Sequence, residues 1–357
     1  MAANASDASP PALGALIARV SAGQHLSADE AEAAFRVIME GQATPAQIAG
    51  LLIALKTKGE TAAELAGGVR AMRSAMVRVP VPDGSPVVDT CGTGGGRLTT
   101  FNISTAAALV AASAGVRIAK HGNRSYTSRC GSADVLEALG VAIQLTPEGM
   151  AEVLDEVGIV FMFAPLLHPA MRHVAPVRRE LGIPTIMNLL GPLTNPAGAR
   201  HQVIGIPDPR LLDLVAGALL ELGHERALVV HGEPGLDELS PIGPTHVVEL
   251  RDGELRRYRY DAAARFGRAD FQATELAGGE PEQNARVIEG ILAGKVQGAA
   301  RAAVALNAGA ALYVAGIADS LDDGIAEAER VLDSGAGLAT LNRLRDASHR
   351  VAARTGG

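Results

Sequence analysis

A chain of 357 residues, 48% apolar and 20% charged, has the balance of a soluble globular protein long enough for two domains, which excludes a disordered or fibrous one. Aromatics make up only 3% and the formal net charge is -7, which argues against a base-stacking nucleic-acid surface but leaves room for a local basic pocket for a phosphorylated small molecule. The two cysteines, Cys91 and Cys130, form neither a CxxC pair nor a disulfide framework, which fits a reducing cytoplasm.

The start, Met1 to Leu13, has no basic segment followed by an apolar stretch, so no signal peptide is expected, and its first residues read as a loose tail. No uninterrupted apolar run reaches membrane-spanning length. From Leu13 to about Met76 the pattern is helical. Three capping boxes start helices there, Ser27 to Glu30, Thr44 to Gln47 and Thr61 to Glu64, and apolar residues such as Phe35, Ile38, Leu51, Leu52 and Leu55 follow at helical spacing. The Pro- and Val-rich stretch Val79 to Pro86 reads as a connector.

Beyond it the chain alternates. A strand at Val87 to Asp89 leads through a Gly-rich loop to a helix, Thr105 to Ala114. A strand at Val116 to Ala119, a helix at Ala133 to Leu139 and a strand at Ile159 to Phe163 follow. Further strands are expected at Gln202 to Ile206, Ala227 to Val230 and Thr245 to Leu250, with helices from Pro281 to near Leu341. Such alternation implies an α/β fold with a mainly parallel sheet flanked by helices. The stretch Pro169 to Leu190 interrupts it and is expected to pack back on the N-terminal helices. The predicted division is a small all-helical subdomain over 1–79, joined by part of 169–200, and an α/β domain over 80–168 and 201–357.

Four loops carry the residues that chemistry could use. Asp89 to Gly96 runs through Thr100, Asn102, Ser104 and Thr105 into a helix, where glycines permit close approach and successive N–H groups form an anion nest. A tight turn would also explain the glycines, but a strand-to-helix loop is where open α/β sheets place ligands. The spacing fits neither the dinucleotide fingerprint nor the Walker loop. Lys120 to Ser125, followed by Gly131, Ser132 and Asp134, puts Lys and Arg at a strand's carboxyl end, able to make charge-assisted bonds to phosphate; solvated loop charges are the plainer alternative. The third loop runs from His168 through Arg172, His173, Arg178 and Arg179 to Asn188, Pro192, Asn195 and Pro196. Spacing alone does not bring His168 and Arg178 together, and a basic surface helix is the ordinary explanation. In the fourth, Gly235 to Pro241, Asp237 and Glu238 could serve a hard cation through waters, though acidic turns are commonplace.

Taken together these loops resemble the anthranilate phosphoribosyltransferase family, from about Leu13 to Ala339. The resemblance rests on Phe101 to Thr105, Lys120 to Arg124, Gly131 to Gly140, Asn188 to Pro196 and Gly235 to Ser240, five stretches in family order. It implies a nucleoside phosphorylase/phosphoribosyltransferase-like fold, with the active site in the cleft between a helical and an α/β part. It also implies a cytoplasmic homodimer that uses Mg2+ in tryptophan biosynthesis and engages neither nucleic acid nor membrane. The implied reaction transfers the phosphoribosyl group of phosphoribosyl pyrophosphate to the anthranilate amine. By the same resemblance Gly92, Gly95, Thr100, Asn102, Ser104, Thr105, Lys120 and Ser132 hold phosphoribosyl pyrophosphate, and Ser104, Asp237 and Glu238 hold the metal. Asn123, His168, Arg178 and Pro192 meet anthranilate, with Arg178 facing its carboxylate, and Lys120, Asn123 and Arg178 are the expected catalytic residues. The chain departs from the family pattern at Gly96, where the family commonly has Asp, and at Tyr126, Arg129 and Cys130. A pyrimidine nucleoside phosphorylase shares the architecture, but the Asp237–Glu238 pair and the Asn188 to Pro196 segment argue against it. A nucleic-acid-binding relative would show a basic groove and eroded substrate loops.

Overall fold

The computed structural model describes residues 12–81, 84–96, 98–125, 129–266 and 271–355, so the expected N-terminal tail and Tyr126 lie outside the described residues. The chain opens with α1 (Leu13–Ser21), α2 (Ala28–Met39), α3 (Pro45–Lys58) and α4 (Ala62–Ser74). The last three begin at the expected capping boxes: the side chains of Ser27, Thr44 and Thr61 each accept from the third-following amide, and Glu30, Gln47 and Glu64 reach back. Glu64, wholly buried, also accepts from the Leu26 amide and from Lys58 Nζ, both at 2.9 Å. Phe35, Leu51, Leu52, Leu55 and Leu65 are buried, and α2 meets α4 so closely that a Cβ on Gly67 would lie 2.3 Å from the Ala28 carbonyl oxygen.

Alternation then begins with β1 (Val88–Gly92), α5 (Ile103–Ser113), β2 (Ile118–Gly122), α6 (Ser132–Ala138), α7 (Pro147–Val157), β3 (Ile159–Phe163) and α8 (Ala164–Leu167). After α9 (Ala175–Leu181) and α10 (Met187–Leu193) come β4 (His201–Gly205), α11 (Leu212–Glu221), β5 (Arg226–Gly232) and a hairpin of β6 (Thr245–Arg251) and β7 (Glu254–Tyr260). The chain closes with α12 (Ala262–Phe266), α13 (Pro281–Leu292), α14 (Ala299–Ala315), α15 (Leu321–Ser334) and α16 (Ala336–Thr355).

Two compact units result. One joins the described residues up to Met76 with His168–Leu190, and the other comprises Val77–Leu167 and the chain from Gly191 onward. The second holds a seven-stranded sheet ordered β3-β2-β1-β4-β5-β6-β7, parallel from β3 to β5 and antiparallel through β6 and β7. From β1 the chain builds outward through β2 and β3, and then returns to the other side of β1 for β4 and β5. The strand order therefore reverses between β1 and β4, the position at which open α/β sheets bind ligands beyond their carboxyl ends.

The structure adds to the sequence-based expectations: helices α7, before β3, and α11, between β4 and β5, are not among the expected elements, and two further additions lie toward the C-terminus. Strand β7 was not expected, because its Arg- and Tyr-rich sequence is polar on both faces; it pairs along its whole length with β6 as an edge strand. The C-terminal helices run past Leu341 to Thr355, with Leu344, Ala347 and Val351 buried. Among the described residues no helix is long and apolar enough to cross a membrane.

Candidate active site

Strands β1, β2, β4 and β5 all end on glycine, and each of these glycines admits something a side chain would exclude. Gly92 and Gly205 are partners in the β1–β4 register. A Cβ on Gly205 would lie 1.6 Å from the Asp237 carbonyl oxygen, and one on Gly92 would lie 2.8 Å from Asp237 Oδ2. The loop after β5 therefore lies directly on the carboxyl ends of β1 and β4, at the reversal in strand order. The Asp237 carboxylate also faces the Gly94 amide of the Gly-rich loop after β1.

Beside it, Ser104 at the start of α5 links two charges. Its hydroxyl accepts from Lys120 Nζ at 3.2 Å, and its amide faces the Glu238 carboxylate. Lys120 is buried within β2 and also donates to the Thr90 carbonyl at 2.5 Å. Burial holds its ammonium below the ordinary lysine range, opposed by the charges of Asp89, Cys91 and Glu238. Burial raises both carboxyls of the acidic pair above the ordinary range, and for Glu238 the adjacent Asp237 charge adds to it. Asp89, wholly buried, is pushed up to about 6 by burial, against the Lys120 charge and a bond from Asn195. Asn195 Nδ2 reaches both Asp89 Oδ2 and the Ala119 carbonyl at 2.9 Å, so this asparagine of the third loop braces β1 and β2.

The phosphate-loop residues are fixed from several sides. Gly94 and Gly95 adopt φ of 69° and 84°, a left-handed turn that glycine permits. Thr100 bridges to Ala277. Asn102 precedes α5; its Nδ2 donates to the Cys130 carbonyl at 3.2 Å, and its Oδ1 accepts from Asn284 Nδ2 at 3.0 Å and from the Cys130 thiol at 3.3 Å. Thr105 is buried, and among the described residues its hydroxyl has no hydrogen-bond partner; the residue lines a small cavity of about 10 Å³ with Leu109, Lys120 and Phe161, room for about one water.

In the basic loop, Asn123 Oδ1 accepts from the Arg124 amide at 2.7 Å, while its carbonyl accepts from Ser132 Oγ at 3.3 Å. Arg124 pairs with Asp134 and Glu137, and Asp134 in turn caps α6 through the Ser125 and Gly131 amides. Arg124 is therefore part of the loop's own scaffold. The Pro192 carbonyl, in α10, accepts from Gln202 Nε2 at 2.8 Å and from the Cys91 thiol at 3.9 Å. His168 and Arg178 belong to the helical unit and do not share a regular helix: His168 precedes a short 3-10 turn, and half-buried Arg178 lies in α9.

Ser104, Lys120, Asp237 and Glu238 are thus brought together, with Gly92 and Gly94 against Asp237. Sequence reasoning assigned no role to Asp89 or Asn284; for Asp89 the available signal was a carboxylate in an otherwise apolar strand, whereas Asn284 sits in the polar start of α13 and carries no such signal. The donor set suits a hard cation, since two adjacent half-buried carboxylates next to a hydroxyl are all-oxygen. Among the described residues no three His, Cys, Asp or Glu side chains form a closed metal cage. Magnesium does not need one, because it keeps waters and binds through one or two carboxylates plus a ligand's phosphates.

Residues 84–338 match the family model described as glycosyl transferase family, a/b domain, and residues 15–76 match that of the glycosyl transferase family, helical bundle domain. The chain is 52% identical over 336 residues to the anthranilate phosphoribosyltransferase of Rubrobacter xylanophilus, covering 94% of this chain and 97% of that one. Among solved structures it is similar to the anthranilate phosphoribosyltransferase of Thermus thermophilus, with a TM-score of 0.88 and 46% identity, covering 93% of this chain and 99% of the other. It is also similar to the Saccharomyces cerevisiae enzyme in complex with PRPP and Mg, with a TM-score of 0.84 and 27% identity over 95% and 98% of the two chains.

Proposed function

This chain belongs to the anthranilate phosphoribosyltransferase family, and from that premise we propose how its own residues carry out the family's pentosyl transfer. The observation that carries the proposal is Ser104, whose hydroxyl faces Lys120 and whose amide faces Glu238 at the switch point of the sheet. The Gly92 to Gly96 turn, Thr100, Asn102 and the first amides of α5 receive the diphosphate and ribose of phosphoribosyl pyrophosphate, and Ser132 closes the neighbouring loop. Thr105 supports the same loop from within. Ser104, Asp237 and Glu238 hold Mg2+, which when bound supplies positive charge against the departing diphosphate.

The reaction is then a displacement. The anthranilate amine forms a bond to the anomeric ribose carbon as the bond to diphosphate breaks, and the nitrogen afterwards sheds a proton. An aromatic amine is already neutral, so no strong base is required. Lys120 provides a fixed charge behind the diphosphate and orients Ser104, an arrangement that costs no reorganisation as charge develops. Arg178 takes the anthranilate carboxylate, and Asn123, His168 and Pro192 are the further residues of this reading that bind anthranilate. The same reading makes the protein a cytoplasmic homodimer, in keeping with its free Cys91 and Cys130, and light scattering would report the dimer.

The direct test is to incubate the purified chain with magnesium and phosphoribosyl pyrophosphate and follow the loss of anthranilate fluorescence. Loss should require all three components together with the protein. No loss beyond a protein-free control sinks the proposal.

A further inference from the structure

We propose that Asn307 is a positioning residue for the Asp237–Glu238 pair, acting through the backbone of Leu239; this rests on the reading of that pair as the metal site. Asn307 lies in α14, a helix buried along nearly its whole length and made mostly of Ala, Val, Leu and Gly. An amide in such surroundings is costly unless its polar atoms are partnered. Asn307 is only 2% exposed, and its amide is fully engaged. Its Oδ1 accepts from the Leu239 amide at 3.0 Å, and its Nδ2 donates to the Leu239 carbonyl at 3.1 Å and to the Ala303 carbonyl at 2.9 Å. One side chain thus pairs with both backbone groups of a single loop residue, as a neighbouring strand would.

Leu239 directly follows Glu238, and the loop is anchored on both sides of the acidic pair. Before it, the Leu236 amide donates to the Gly232 carbonyl at 2.7 Å and the Gly232 amide to the Leu236 carbonyl at 3.0 Å. After it, the Ser240 amide donates to Thr245 Oγ1 at 2.9 Å and its hydroxyl to the Glu233 carbonyl at 2.6 Å. Asp237 and Glu238 therefore span two anchors, and Asn307 reaches Leu239, the residue after Glu238, from outside the loop. Magnesium demands near-ideal octahedral placement of its ligands, so a small shift of this backbone should tell first on metal-supported binding. The phosphate loop has a separate brace: Asn284 donates to Asn102 and its Oδ1 accepts from the Gly279 amide at 2.8 Å. Loss of Asn307 should leave that brace in place.

The test compares Asn307→Leu, which keeps the branched side-chain skeleton but loses the amide, with Leu312→Ala, a core truncation five residues on along the same helix. Phosphoribosyl pyrophosphate is titrated calorimetrically over a magnesium series, with steady-state kinetics and thermal unfolding alongside. Asn307→Leu should raise the magnesium needed for half-maximal affinity about tenfold, the scale of one or two lost hydrogen bonds. Saturating magnesium should restore affinity, and the anthranilate KM should not change. Leu312→Ala should lose stability yet keep the natural magnesium dependence; an equal shift in both makes Asn307 a packing residue and overturns the proposal. Glu238→Gln separates the premise. If it leaves the magnesium dependence unchanged, the metal reading fails and the proposal falls with it, whereas a shift there without one in Asn307→Leu overturns the proposal alone. Should Asn307→Leu fail to fold, hydrogen exchange on the natural chain decides: the Leu239 amide should be protected before magnesium and phosphoribosyl pyrophosphate are added, and free exchange until then refutes a preformed clamp.

Discussion

At Gly96 one missing side chain changes what the acidic pair meets. A Cβ there would lie 3.1 Å from Asp237 Oδ1 and 3.3 Å from the Gly235 carbonyl, so an Asp, the residue common in the family, would bring a third carboxylate to a pair whose ionisation burial already opposes. Charges at such distances interact by several kcal/mol at intermediate dielectric, enough to favour a further cation. A second metal gripping the diphosphate would strengthen ground-state binding without helping turnover. The natural chain should therefore keep its activity as magnesium rises from sub-millimolar to tens of millimolar, and Gly96→Asp should be inhibited at the upper end. Equal inhibition of both gives Gly96 a conformational role only; its neighbour Arg97 lies outside the described residues. His168 carries a different residue-scale prediction. Burial pushes its ring down to about 4 from 6.5, so the folded chain resists protonating it while the unfolded chain does not. Stability from this residue is full above 6.5 and is lost as pH falls toward 4, amounting to about 2 kcal/mol by about pH 5. His168→Gln should show a shallower decline in urea unfolding free energy between neutral pH and about pH 5, and an equally steep one refutes the assignment.

At the scale of elements, strand-terminal glycines decide whether the loops can reach the switch point. In Gly205→Ala the new Cβ would fall 1.6 Å from the Asp237 carbonyl oxygen, a clash with backbone that no side-chain rotation relieves. The variant should lose about 1–3 kcal/mol of stability, as overpacking does, and should also lose magnesium-supported binding of phosphoribosyl pyrophosphate as the acidic loop lifts. Binding that survives at natural affinity would show that the loop's seat on β4 is not what places Asp237. Much of this layer was legible in the sequence because its causes are local. A capping box is complete within four residues, and β3 and the helix starts at Ser27, Thr44 and Thr61 follow from such short patterns. The loops were legible for the same reason, since a Gly-rich turn between strand and helix carries its purpose in its residue types. What was not legible depends on distant partners. Asn195 reaches Asp89 and Asn307 reaches Leu239 across long stretches of chain, and neither spacing is a pattern. Strand β7 is an edge whose polar sequence is explained by its pairing with β6 and by the packing of Tyr258 and Tyr260 against the core.

At the scale of the whole molecule, the proposed diphosphate and metal groups all belong to the α/β unit, whereas Arg178 and His168 belong to the helical one. This division predicts that the two substrates can be perturbed separately. Arg178→Ala removes a charge-assisted partner from the anthranilate carboxylate, a loss of about 1.5–3 kcal/mol, so the anthranilate KM should rise by one to two orders of magnitude. The KM for phosphoribosyl pyrophosphate should stay within about twofold, since its proposed contacts lie in loops that Arg178 does not belong to. A general loss of positive charge could mimic part of this effect, because the chain already carries a net charge of -7 and both substrates are anions. Arg179→Ala controls for it: this exposed neighbour carries the same charge, so a field effect should appear in both variants and fall with added salt. A direct partner should show itself only in Arg178→Ala and resist salt, and the amide analogue of anthranilate, which lacks the carboxylate charge, should lose discrimination between natural chain and variant. Equal rises in both KM values, or equal behaviour of the two arginine variants, would remove Arg178 from the site and leave it a basic residue on a helix surface.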